Sequence, residues 1–178
     1  AGYNGKFDGG TFIIGGGLGH LPDQGGKTVG TGRNLDVYSI YADITAGDRL
    51  APAVFSVIAE YFWADVERGA SATADAKPSG YWIQPTFKFS EKFEAVVRYS
   101  YLDTDGRGVN ISDGVRSAPG GGTQDKLSEM YVGGTWYAKG NDLKFQAGYV
   151  YGESSDTVTG GPAGAKTQGV RSQMQLNF

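Results

Sequence analysis

Four basic side chains, Lys88, Arg98, Lys144 and Arg171, stand at polar positions of segments in which apolar and polar residues alternate. Two acids, Glu94 and Glu129, stand at equivalent positions. Glu60 joins them if its segment has the matching parity, because 53–66 is apolar on both faces up to that residue. Successive side chains of a strand point to opposite faces, so these charges are expected to share the polar face of a sheet. Fixed cations on the wall of a wide lumen attract anions, as charged rings do in other pores. In a narrow closed barrel the same cations would pair with the acids and fill the interior. The residues alone leave both open.

Other chemical motifs are weaker. Gly25-Gly26-Lys27-Thr28 has the end of a phosphate-binding loop, but Leu21 stands where its first glycine should be and no helical pattern follows. Gly15-Gly-Gly-Leu-Gly19 lacks the helix and the later acid of a dinucleotide site, and small residues in a bent strand explain it better. His20 is the one histidine, in a Gly-rich stretch without an evident serine or acid partner, so a hydrolytic triad is not expected. Asp103-Thr-Asp105-Gly-Arg-Gly, with Asn110 and Asp113, loosely suggests a calcium loop. Arg107 breaks its spacing and no glutamate closes it, so an acidic loop is the better reading. The chain is therefore expected to have no catalytic residues, metal or cofactor, and not to be an enzyme.

The elements that must position the charges are strands. Eight are expected, near 11–18, 34–45, 53–66, 79–89, 93–103, 126–138, 143–152 and 167–178, with Gly or Pro between them. Tyr81, Ile83, Phe87 and Phe89 oppose Trp82, Gln84, Thr86 and Lys88; Leu143, Phe145, Ala147, Tyr149 and Tyr151 oppose Lys144, Gln146 and Gly148. The last segment sets Val170, Ser172, Met174, Leu176 and Phe178 against Arg171, Gln173, Gln175 and Asn177. Connections alternate: short at 46–52, 90–92 and 139–142, long and Gly- or Asp-rich near 19–33, 67–78, 104–125 and 153–166. Outer-membrane barrels sort their turns and loops in this way, whereas a soluble sandwich has no reason to. Tyr61, Trp63, Tyr99, Tyr101, Tyr149 and Tyr151 fall beside the long loops, and Phe87, Phe89, Phe93, Trp136, Phe145 and Phe178 beside the short turns. Two such rings would form the interfacial girdles of a membrane barrel.

Composition agrees. The 178 residues include 30 glycines, 13% aromatics and no cysteine, and the mean hydropathy is -0.33. No apolar run is long enough for a transmembrane helix, but a membrane strand needs only about 9–11 residues, half of them apolar. A net charge of -3 argues against nucleic acid as a partner. No signal peptide precedes Ala1, so an exported protein is expected to be present here in mature or truncated form. The expectation is an all-β antiparallel transmembrane barrel forming a single domain over 1–178.

From Ser79 onward the chain resembles the phosphate-selective porins of the O and P type. The resemblance is carried by Gly80-Tyr-Trp-Ile-Gln-Pro85, Glu94-Ala-Val-Val-Arg-Tyr-Ser-Tyr-Leu-Asp103, Tyr131-Val-Gly-Gly-Thr-Trp-Tyr137 and Val170-Arg-Ser-Gln-Met-Gln-Leu-Asn-Phe178, with Ile58-Ala-Glu-Tyr-Phe-Trp63 extending it. It implies a sixteen-stranded, homotrimeric barrel of about twice this length, of which this chain would be the C-terminal half. It also implies an outer-membrane channel for small hydrophilic solutes, anions such as phosphate among them. Lipid and lipopolysaccharide would surround it, and the terminal Phe178 resembles the mark read by the barrel-assembly machinery. One departure stands out. The resemblance suggests a ladder of arginines and a lysine cluster, and this sequence has no run of alternating arginines. The alternative is a small closed barrel of eight strands with a plugged interior, serving envelope integrity or attachment.

Overall fold

The computed structural model describes residues 1–24, 33–47, 53–67, 75–106, 109–110, 123–155, 157–159 and 166–177. In chain order the strands are β1 (Gly2–Phe7), β2 (Gly10–Gln24), β3 (Arg33–Ala46), β4 (Val54–Glu67), β5 (Ser79–Lys88), β6 (Phe93–Asp103), β7 (Val109–Asn110), β8 (Thr123–Gln124), β9 (Lys126–Asn141), β10 (Leu143–Ser154), β11 (Thr157–Thr159) and β12 (Lys166–Leu176). Nine of them form one antiparallel sheet in the order β1-β2-β3-β4-β5-β6-β9-β10-β12, and β11-β8-β7 form a small second sheet. Among the described residues there is no helix. The all-β antiparallel expectation therefore stands.

The count of eight strands does not. The sheet has a ninth, β1, whose alternation is hidden because Gly5 occupies the outward position between Tyr3 and Phe7. The missing bulk comes from the neighbouring strand: Gly5 pairs with Phe12, whose ring lies where a Gly5 side chain would be. Nor, among the described residues, does the sheet close on itself. Its edges are β1 and β12, and neither is paired with the other, so these residues do not adopt the alternative, a small closed barrel of eight strands.

Connections also shift. The expected long loop near 19–33 shrinks to 25–32, because β2 and β3 extend into it, and it is then scarcely longer than 47–53. Toward the C-terminus the sorting is clear, with 89–92 and Asp142 on one end against 104–125 and 155–165 on the other. A new short turn, Asp8-Gly9, falls on the short-turn end, and Gly9 takes a φ of 80° that a side chain would strain. The two longest C-terminal connections contribute β7, β8 and β11, so the second sheet belongs to the long-loop end.

Packing is inverted relative to a water-soluble protein. Among the described residues the buried apolar side chains are Val66, Ala76, Val96 and Val150 only. While Ile58, Phe62, Leu102 and Leu127 have the opposite parity, most large apolar groups lie outward, as with Val170 at 75% and Met174 at 56% exposure. Register shows that this is one continuous face. Ala59, Ile83, Tyr99, Met130 and Tyr151 form one cross-strand row, and Phe93, Trp136, Phe145 and Met174 another. The opposite face carries the charged side chains and is concave over the C-terminal strands, since a single recess touches Gln84 on β5 and Gln173 on β12, four strands away in the sheet.

Candidate functional site

Register orders the charges of the concave face into rows along the strand axis. Nearest the short turns, Lys144 lies between Tyr137 and Gln175. The next row runs Lys88, Glu94, Thr135, Gln146, Gln173. Arg171 follows, level with Val96, Gly133 and Gly148. Arg98 then pairs with Tyr131, and nearest the long loops come Glu60, Trp82, Ser100 and Glu129. Glu60 therefore has the inward parity that the sequence left open. At about 3.3 Å per residue, the span from Lys144 to Gly152, level with Glu129, is about 26 Å. Lys144 and Lys88 thus lie on the short-turn side, Arg171 midway and Arg98 beside the row that holds two of the three acids, an axial order that alternation alone does not reveal.

Five of the charges on this wall, Lys88, Arg98, Glu60, Glu94 and Glu129, lean on a neighbour. Arg98 Nη2 is 3.6 Å from Glu129 Oε1, and its guanidinium lies 5.9 Å over the Tyr131 ring. Lys88 Nζ lies 5.3 Å over Tyr137, whose hydroxyl donates to Glu94 Oε2 at 3.3 Å. Trp82 Nε1 donates to Glu60 Oε2 at 3.0 Å. Tyr137, Tyr131 and Trp82 are side chains of this wall that the sequence reading did not single out as candidates; the signal was there, since each sits at a polar parity of its strand. Lys6 and Asp43 add two more inward charges, at positions that become legible once β1 and its register are known.

Two recesses open on the wall. One, of 410 Å³, is bounded by Ser56, Thr86, Lys88, Glu94 and Tyr137, with Ser56 and Thr86 hydroxyls 2.6 Å apart. The other, of 630 Å³, collects Arg98 and Arg171 with Glu94, Tyr131 and the amides of Gln84, Gln146 and Gln173. Tyr131 stays flat against the wall because Gly133 and Gly148 leave room for it; a Cβ on Gly148 would stand 2.5 Å from the ring.

The remaining sequence candidates lie elsewhere. His20 does have an acid partner, contrary to expectation: Asp36 Oδ1 is 2.6 Å from its Nδ1, brought opposite by the β2–β3 register. The pair sits on the outward side at the long-loop end, away from the polar wall. In the acidic loop, Asp103 Oδ1 accepts from the Asp105 amide at 2.9 Å, and Asp105 Oδ2 from the Lys77 amide at 2.8 Å. Asp125 Oδ1 accepts from the Thr104 hydroxyl and the Gly106 amide. These carboxylates fasten the loop bases, and among the described residues no group of three or more metal-ligating side chains occurs. Gly25-Gly26-Lys27-Thr28, Asp113 and Phe178, and the side chain of Asn110, lie outside the described residues, as does Arg107.

On the outward face the expected aromatics form two bands. Tyr61–Trp63 centroids are 5.6 Å apart, Tyr38–Trp63 5.4 Å and Tyr81–Tyr101 5.7 Å at the long-loop end, with Tyr99, Tyr149 and Tyr151 continuing the band. Trp136–Phe145 at 5.4 Å and Phe89–Phe93 at 6.1 Å mark the short-turn end.

Comparison with known proteins places this geometry. The family model described as phosphate-selective porin O and P matches residues 5–178, well beyond the C-terminal segments that first carry the resemblance. No curated protein and no solved structure matches the chain.

Proposed function

The chain belongs to the phosphate-selective porin O and P family, and from that premise we propose that it forms the wall of a passive outer-membrane channel for small anions, phosphate among them. The carrying observation is the inverted packing. A continuous exposed apolar face between two aromatic bands is a liability in water, whereas in a bilayer it is the solvated surface. The polar concave face then lines the solute path. Lys88, Arg98, Lys144 and Arg171 lower the barrier for an anion, while Glu60, Glu94 and Glu129 keep binding weak enough for release. The channel has no chemistry of its own and uses no cofactor.

The open edges belong to the same reading. Unpaired backbone groups cost several kcal/mol each in lipid, so β1 and β12 must be paired in a membrane. Further strands closing a larger barrel, assembled as a homotrimer within lipid and lipopolysaccharide, supply that pairing. The barrel-assembly machinery reading Phe178 would insert it. The test is planar-bilayer conductance with reversal potentials in a salt gradient. Anion-selective steps of constant size are expected. Absence of steps, or clear cation preference, would overturn the proposal.

A further inference from the structure

We infer that the 630 Å³ recess selects hydroxylated organic anions of monosaccharide size, such as sugar acids, over inorganic phosphate; this rests on the channel reading for its access to solute. The argument is the balance of donors and acceptors. Ionised phosphate offers acceptors almost exclusively, so a site built for it presents donors. Arg98 and Arg171 are such donors, but they share the recess with the Glu94 carboxylate and with three carboxamides, each of which brings a carbonyl acceptor. Glu94 repels a phosphate by charge and can accept only from its one or two remaining hydroxyls, against the several that a sugar acid carries. A sugar acid carries both halves: one carboxylate for the guanidinium groups, and several hydroxyls that donate to Glu94 and to Gln84, Gln146 or Gln173.

Geometry supports the assignment. Arg98 is held by Glu129 and by the Tyr131 ring, so its guanidinium is positioned before solute arrives. Glu94 stands one row nearer the short turns than Arg171 and borders both recesses, so it meets the solute's far side. The volume lies within the range of small-molecule pockets and exceeds what a single tetrahedral oxyanion fills.

The test uses the full protein from outer membranes, with sodium glucuronate, glucose and phosphate as probes. Titration calorimetry in detergent reads the recess, and block of single-channel current reads the channel. Glucuronate is expected to bind tighter than either phosphate or glucose. Glu94→Gln is expected to weaken glucuronate about tenfold, by loss of a charge-assisted hydrogen bond, and to tighten phosphate, by loss of a repulsion. Gln146→Ala, which leaves every charge in place, should weaken glucuronate and not phosphate. Equal or tighter binding of phosphate, equal binding of glucose, or an unchanged glucuronate-to-phosphate ratio in both variants would overturn the inference. Glucuronate binding without conductance would support the recess and overturn the channel reading.

Discussion

Arg98 on β6 and Glu129 on β9 meet at 3.6 Å across one strand pair, with the arginine 38% exposed and the glutamate 10%. The asymmetry makes the two partners unequal. Removing Glu129's charge leaves Arg98 half-solvated and still over Tyr131, whereas removing Arg98 leaves a nearly buried carboxylate with less support. Glu129→Gln is therefore expected to fold normally and to shift the reversal potential toward anions. Arg98→Gln is expected to lower stability by about 1–2 kcal/mol, read as an earlier urea midpoint in detergent. Equal destabilisation by the two variants would contradict this account.

Gly148 predicts a steric gate. A side chain there meets the Tyr131 ring, and the ring, being the free end of a side chain, swings away from the wall into the lumen. Gly148→Val should lower single-channel conductance with little loss of stability. Gly148→Val combined with Tyr131→Ala should restore the conductance. A conductance that stays low in the double variant would place the constriction elsewhere.

Asp125 predicts the mechanics of the loop base. It holds the Thr104 hydroxyl and the Gly106 amide together, next to β8, whose Gln124 accepts from Ser154. Asp125→Ala should open the 104–125 loop to protease by several-fold, while chelation with EDTA should leave the intact protein's protection unchanged. If EDTA alone reproduced the variant's cleavage, a divalent cation would be bound at these acids.

The sequence exposed the face of each strand more readily than its neighbours. Where an apolar or aromatic residue recurs at every second position, as in Phe93 to Tyr101 or Phe145 to Tyr151, the outward face was legible directly, and so was the inward parity of Lys88, Arg98, Lys144 and Arg171. Where glycine replaces the large residue, as at Gly5, the alternation disappears although the strand does not, because Phe12 supplies the bulk from across the ladder. Axial order was illegible for a different reason. It depends on register, which is a property of pairs, so the grouping of Glu60 with Glu129 appears only after β4–β5, β5–β6 and β6–β9 are aligned, and the pairing of His20 with Asp36 only after β2–β3 is.

A parity experiment tests the inverted packing that the functional reading depends on. Val132 and Gln146 lie near the middle of the C-terminal sheet, on β9 and β10, with Val132 outward and 46% exposed and Gln146 bordering the 630 Å³ recess. If the outward face meets hydrocarbon, Val132→Arg places a guanidinium in lipid and should cost about 2–4 kcal/mol near the midplane. Gln146→Arg adds the same charge to a polar, wetted wall, so stability should hold and the reversal potential should move further toward anions. Both are measured on one sample each, by urea unfolding in lipid vesicles and by bilayer recording. In a soluble protein the ranking would reverse: an arginine at exposed Val132 would be harmless, and the half-buried Gln146 site would resist it. The sign of that difference therefore decides which face the membrane sees.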